Sequence, residues 1–345
     1  MWISALELAH SDSRYVPYVH RFGQHFTIVA NVLQHTGAGG SGLWDEEDQF
    51  YFDAIRYDTE RLPLKVYSMV GLVPLFAATI FDEVTLAKLP LVMRSIKEVF
   101  ANRPYLKAMF PSWIQPGRDG TRLLSIVDAE RLRPVLRRVL DETQFLSTYG
   151  VRSLSRAHLD NPYQFVVGGE QHQVRYLPGV SDCRMFGGNS NWRGPIWFPM
   201  NFLLIQAIAT FARYYDDFTI ECPTGSGRYL TLIEIADELA DRLTRLFSRD
   251  EGGGRRAVFG DNDHFQRDAH WRDYIPFHEF FHGDTGAGLG ASHQTGWTAL
   301  VAMLLQYRGN LCFDAASSSD ASAAERLRPE RAAVGRRERL ETVLV

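Results

Sequence analysis

Apolar residues recur at helical spacing along most of this chain, in separate blocks joined by long loops. Trp2, Ile3, Ala5, Leu6, Leu8 and Ala9 form the first block. The sequence SDS at 11–13 supplies a helix start for the second, which runs to about Gln34 and stops at the loop TGAGGSG. Further blocks fall at 63–82, 85–101, 126–141, 195–215, 230–248 and 290–307. Strand-like runs do not alternate with them, so a parallel sheet built from βαβ units is not expected. The expected class is all-α, roughly eight helices. YQFVVGGEQHQVRYLP (163–178) stands apart as a small β-hairpin turning at Gly168-Gly169, and LWDEEDQFYFDAI (43–55) reads as a loop or short hairpin.

The bulk properties narrow the setting. The 345 residues are 45% apolar and 12% aromatic with a net charge of −4, a soluble globular profile with ample core. No strongly basic face is implied, so nucleic acid is not an expected partner. Cys183, Cys222 and Cys312 are odd in number and widely spaced, which suits a reducing compartment. The start MWISALELAH lacks the basic region of a signal peptide, and no apolar run approaches the roughly 18 residues of a membrane span. A cytoplasmic protein without membrane contact is expected. No Ser, Thr, Asp or Asn precedes the first apolar block, so Met1 reads as lying within a helix that began further upstream. From Ala315 the composition turns to Ala, Ser, Arg and Glu, so the expected division is a domain over 1–308 and a disordered tail over 309–345.

The long loops hold the unusual residues. HEFFH, from His278 to His282, spells the zinc-protease pattern. That chemistry needs a helix presenting both histidines on one face and a third ligand. Pro276 and Gly283 leave room for only a very short helix. The extended zincin form wants glycine at 285 and histidine at 288, where Thr285 and Gly288 stand, and no glutamate lies between Glu279 and Glu325. His293 is the one conceivable third ligand. No metal and no cofactor are expected. Glu279 is instead flanked by Phe277, Phe280 and Phe281 and followed by GDTGAGLG. One reading is a glutamate paired with Arg272 or a histidine; the other is a carboxylate in an aromatic pocket, tuned for acid–base work. In FGGNSNWRGPIWFPMN (186–201), Asn189, Asn191, Trp192 and Arg193 make a polar loop ahead of Pro195, and Trp197 is either pocket wall or core. Trp44, Trp113, Trp192, Trp271 and Trp297 all fall in loops or at helix edges. Indoles, carboxylates and asparagines together suit a ligand with many hydroxyls and flat C–H faces, which is carbohydrate.

NWRGPIWFPMN, FHEFFHGDTGAGLGASHQTGWTAL, LWDEEDQFYFDA and TYGVRSLS together resemble the C-terminal catalytic region of glycoside hydrolase family 63. The similarity is greatest to its bacterial branch, related to mannosyl-oligosaccharide glucosidase and mannosylglycerate hydrolase, and runs from Met1 to about Arg308. The resemblance implies an (α/α)6 toroid, here incomplete, and exo-acting cleavage of α-glucosidic or α-mannosidic bonds with inversion. It implies Glu279 as general base and a sugar subsite lined by Trp44, Asp45, Tyr149 and the Trp192-Arg193-Gly194-Pro195 loop. Asn191, Trp197, His278, His282, Asp284 and His293 complete the expected wall. The family's aspartate general acid would lie upstream of Met1, with Asp45 and Asp284 the available substitutes. The chain alone is then expected to be weak or inactive, and to self-associate through helices that a full ring would cover. Two other classes remain: a carbohydrate-binding scaffold that does no chemistry, and an (α/α)6 sugar epimerase using His278, His282 or His293.

Overall fold

The chain was analysed as a computed structural model that describes residues 1–34, 42–57, 60–182 and 194–306. The first two apolar blocks become α1 (Trp2–Ser11) and α2 (Val16–Gln34). Met1 gives α1 no side-chain cap, whereas Asp12 accepts from the Arg14 backbone N–H at the turn between them. Then come the hairpin strands β1 (Trp44–Asp45) and β2 (Phe50–Tyr51), and β3 (Asp53–Tyr57) and β4 (Glu60–Leu64). The short α3 (Val73–Phe76) leads into β5 (Ala78–Phe81), and α4 (Glu83–Ala87), α5 (Pro90–Asn102), α6 (Tyr105–Met109) and α7 (Pro111–Ile114) follow.

The middle of the chain holds β6 (Arg122–Ser125), α8 (Ala129–Val139), β7 (Leu146–Ser147), β8 (Gly150–Val151), β9 (Tyr163–Val167) and β10 (Glu170–Val174). Last come α9 (Phe198–Ala212), β11 (Thr219–Glu221), β12 (Tyr229–Thr231), α10 (Leu232–Thr244), α11 (Asp263–Arg267), β13 (Phe280–Phe281), β14 (Gly288–Leu289) and α12 (Thr295–Thr298), then helical residues 300–306. Met1–Leu305 form one unit of the chain; of the second, from Gln306, only Gln306 itself is described.

The all-α expectation needs correction. The described residues carry seven two-stranded antiparallel sheets, so the fold is mixed helix and strand. The expected helix over 63–82 is where the reading fails most. Its apolar spacing is helical, yet Glu60–Leu64 pair with Asp53–Tyr57, and Ala78–Phe81 pair with Arg122–Ser125. Thr79, Ile80 and Phe81 are β-formers, and their partner strand lies some forty residues on, outside any local window. The 163–178 hairpin forms as read, Val167 opposite Glu170 across Gly168-Gly169.

Two clusters hold most of the core. In α8, Leu132, Val135, Leu136 and Val139 follow i, i+3, i+4, i+7 spacing and are fully buried, while Asp128 caps the helix by accepting from the Arg131 N–H at 2.9 Å. Each such side chain stabilises the fold by about 1.5–3 kcal/mol. α9 packs on α10 within the same cluster. α9 buries a broad face through Phe198, Phe202, Ile205, Ile208 and Phe211, with Leu203 exposed on the other side. α10 buries one face, and Thr231 and Glu234 close its first turn as a reciprocal capping box. The second cluster joins α1, α2 and α5 to Leu106, Phe110, Trp113 and Leu124. On the outer side of α1 and α2, Ile3, Leu8, Tyr18, Ile28, Val29 and Val32 are exposed. No helix among the described residues is long and apolar enough to cross a membrane.

Candidate active site

Three extended segments set the site. The backbone at Ile196 bridges Arg152 on one side and Phe281 on the other. Ile196 N donates to Phe281 O at 2.8 Å, Phe281 N returns to Ile196 O at 2.9 Å, and Ser153 N donates to Pro195 O at 3.0 Å. Asn201, buried in the first turn of α9, locks this ladder from behind. Its Oδ1 accepts from Val151 N at 2.7 Å, and its Nδ2 donates to Val151 O and Trp197 O. The ladder ends in the β13–β14 hairpin, so HEFFH stands on extended chain rather than on a helix.

Glu279 is half-buried at the start of this hairpin. Its N–H donates to Ala291 O at 2.8 Å, and its Oε2 accepts from Ala291 N at 3.3 Å. The carboxylate lies over Gly290, whose φ is +68°. A Cβ there would come within 2.7 Å of Oε2, so glycine is required on both counts. Among the described residues Glu279 forms no ion pair, so the reading in which it pairs with Arg272 or a histidine is not what is seen. The short helix α12 clamps the same backbone: Trp297 Nε1 donates to Glu279 O at 3.0 Å, and Thr298 Oγ1 donates to His278 O. Trp297 keeps 37% of its surface exposed. It meets Trp197 edge-on at 6.0 Å, and Trp197 stacks on Phe280 at 5.2 Å. Trp197 is 4% exposed within the main core cluster, so it packs as core behind the hairpin and not as an open sugar-binding face.

The histidines have commitments of their own. The His278 ring packs onto Gly288, and its buried Nδ1 has no hydrogen-bond partner among the described residues. His282 Nδ1 accepts from the N–H groups of Asp284 and Thr285 at 3.3 and 3.2 Å. Burial holds both imidazoles below the usual histidine pKa; the Leu289 backbone works against this at His278, and Asp284 works against it at His282. His293 is exposed, and its backbone bridges Phe277. Among the described residues no three His, Cys, Asp or Glu side chains converge as metal ligands would.

Asp284 sits in a network. Its Oδ1 accepts from Arg152 Nη2 at 3.0 Å and from the Tyr176 hydroxyl at 2.9 Å, while Arg152 Nε donates to Tyr176 at 3.0 Å. Arg152 is 5% exposed and also donates to Leu146 O. Gly283 packs so tightly here that a Cβ would meet Gly194 O at 2.5 Å and the Tyr176 hydroxyl at 2.7 Å. Tyr149 reaches the same hairpin, its ring against Gly286. Tyr149, Gly194, Trp197, His278, Glu279, His282 and Asp284 thus share one neighbourhood.

Trp44 and Asp45 form a different cluster. Trp44 is 6% exposed, edge-on to Tyr51 at 4.8 Å under the Arg131 guanidinium, a core position rather than an open sugar platform. Asp45 accepts from the Asp48 and Glu47 N–H groups and pairs with Lys65 at 2.9 Å. The Asp48 backbone bond, aided by Lys65, holds its carboxyl below the usual range, which opposes a role as proton donor. Asn191, Trp192 and Arg193 lie outside the described residues, as do Cys183, Cys312 and the tail. A cavity of about 200 Å³ between α2 and α5, lined by Phe26, Ile96, Phe110 and Trp113 among others, carries no carboxylate and none of these candidates.

Sequence reasoning placed no role on Arg152 or Tyr176, and counted Trp297 only among the loop indoles that suit carbohydrate, without tying it to Glu279. Trp297 could have been found from its position at the end of the Glu279 loop; the Arg152–Asp284 pair spans 132 residues and leaves no local signal.

Residues 122–298 match the family model described as the mannosylglycerate hydrolase MGH1-like glycoside hydrolase domain. Over 322 residues the chain is 43% identical to the uncharacterized protein YMR196W of Saccharomyces cerevisiae, covering 89% of this chain and 30% of that protein. Over 178 residues it is 26% identical to a probable mannosyl-oligosaccharide glucosidase of Schizosaccharomyces pombe, covering 52% of this chain and 16% of the relative. The chain therefore spans less than a third of either relative's length.

Proposed function

The chain belongs to the MGH1-like glycoside hydrolase domain family, and from that premise we propose that Glu279 is the general base of an inverting, exo-acting glycosidase. The substrate is an α-linked glucoside or mannoside, and the whole domain is a family 63 (α/α)6 ring. One observation carries the reading. The Glu279 carboxylate is half-buried, free of any ion pair among the described residues and held by one backbone N–H, while the partly exposed indole of Trp297 holds the main-chain carbonyl of the same residue. A base in this position takes a proton from water as that water attacks the anomeric carbon. The acid, its carboxyl about 6.5–9.5 Å from that of the base, protonates the leaving oxygen from the opposite side.

Neither substitute acid suits that task. Asp45 is tied to Lys65 and Asp284 to Arg152. The proton donor on this reading comes from outside the described residues, and the isolated chain turns over slowly. The same observation favours a second reading, a domain that binds sugar through its aromatic wall without cleaving it. The two separate in one assay on aryl α-glucosides, aryl α-mannosides and α-linked disaccharides. Hydrolysis that drops about 10²-fold or more in Glu279→Gln supports the base. Sugar binding that survives Glu279→Gln with no product supports the binding domain. Turnover unaffected by Glu279→Gln refutes the proposed base, and isomerised sugar in place of hydrolysis points to an epimerase.

A further inference from the structure

A second group of aromatic side chains lies on the segment that leads into the site. Trp271 is 42% exposed and Tyr274 64% exposed, and His264 and His270 beside them are exposed as well. Large aromatic faces left in water mark recognition surfaces more often than accidents when they occur together. These occur together: Trp271 meets Tyr274 at 6.3 Å, His270 at 5.4 Å and His264 at 6.2 Å, and Phe265 at 5.8 Å braces it from α11.

The segment is also stiff. Asp268 Oδ1 accepts from the His270 and Trp271 N–H groups at 2.8 and 3.2 Å, and Tyr274 N closes a turn on Trp271 O at 2.9 Å. Asp273 is anchored by Arg249 at 2.8 Å and Arg256 at 3.2 Å, with Arg272 alongside at 3.5 Å. Rigid aromatics ringed by planar hydrogen-bonding groups fit a ligand with apolar C–H faces and an edge of hydroxyls. Tyr274 is five residues before Glu279. A five-residue span reaches at most about 18 Å, so the two features lie within the length of a short oligosaccharide.

We propose that Trp271 and Tyr274 form a distal subsite that stacks a sugar ring of an oligosaccharide whose end lies at Glu279. This rests on the carbohydrate reading of the Glu279 site and deepens it: the preferred ligand is a chain of several sugars, not a disaccharide. An aromatic contact of about 0.5–1.5 kcal/mol corresponds to roughly a two- to tenfold gain in affinity.

The test is calorimetric titration of the full chain with α-linked gluco- and manno-oligosaccharides, from disaccharide to hexasaccharide. Affinity is expected to climb with length. In Trp271→Ala and Tyr274→Ala that climb is lost while disaccharide affinity stays unchanged, and Trp271→Phe keeps it. Thermal melts establish that each variant is folded, and Tyr274→Ala, at the more exposed position, serves where Trp271→Ala is not. Disaccharide binding with no gain for longer chains, or a gain that survives both alanine variants, overturns the distal subsite and leaves the Glu279 reading standing. Failure of every saccharide to bind overturns both.

Discussion

Breaking the Arg152–Asp284 pair tests whether the support beneath the Glu279 hairpin is an interior ion pair or a surface one. Arg152 is 5% exposed, whereas the Asp284 side chain is 34% exposed. Removing each partner therefore has unequal consequences. Asp284→Asn leaves a guanidinium buried among neutral acceptors only: the new amide oxygen, the Tyr176 hydroxyl, Leu146 O and Glu142 O. Stranding a buried charge costs about 3–5 kcal/mol, and the partial exposure of Asp284 places this case at or below the lower end, about 2–3 kcal/mol. Arg152→Met fills similar volume with apolar atoms and frees Asp284 to turn towards water. The loss is then the charge-assisted hydrogen bonds and the donor to Leu146 O, about 1–2 kcal/mol. The expected order is Asp284→Asn more damaging than Arg152→Met by about 1 kcal/mol, with the double variant costing less than the sum. Urea unfolding followed by tryptophan fluorescence and circular dichroism measures it. Arg152→Met as the more costly change, or both within about 0.5 kcal/mol of wild type, would show that the pair behaves as a solvent-screened contact.

Gly283→Ala inserts a methyl 2.5 Å from Gly194 O and is expected to cost about 1–3 kcal/mol and to weaken sugar binding, because backbone and the held Tyr176 hydroxyl must move; an unchanged melting temperature would contradict this. Burial lowers the folded-state pKa of His278, His282 and His158 below the unfolded value of about 6.5, so the unfolded chain binds more protons just below that pH. Stability from these groups is complete above about pH 6.5 and declines as pH falls through the folded pKa values; urea midpoints that are flat or rise from pH 7 to pH 5 would oppose it. The exposed Ile28, Val29 and Val32 on α2 are expected to drive concentration-dependent association, seen by sedimentation and relieved by Ile28→Lys with Val32→Lys; a monomer at every concentration refutes it.

Features set by neighbouring residues were legible in the sequence. α8 follows from Leu132, Val135, Leu136 and Val139 alone, and the hairpin at 163–174 from Gly168-Gly169 between strand-like runs. Features set by distant residues were not. Nothing near Ala78 announces Ser125 as its partner, so a helical period won where a strand forms. Trp44 failed for a related reason. An indole in an acidic loop reads as a sugar platform, but its fate depends on Tyr51 folding back over it and on Arg131 arriving from α8. At the candidate site the motif drew attention to one hairpin, while the residues that hold that hairpin in place, Arg152, Tyr176 and Asn201, come from three other parts of the chain.

The backbone under HEFFH decides what its glutamate can do. On a helix, residues 278 and 282 lie one turn apart on a shared face, which is what two ligands of one metal require. On the hairpin each side chain is taken up separately: the His278 ring by Gly288, His282 Nδ1 by two backbone N–H groups, and the Glu279 carboxylate by Ala291 N above Gly290. These commitments point to three different partners, and none of them sets two ligands on one helix face. What remains at 279 is a half-buried carboxylate on a hairpin whose backbone the Trp297 indole clamps, and that is the group the proposed mechanism uses as its base.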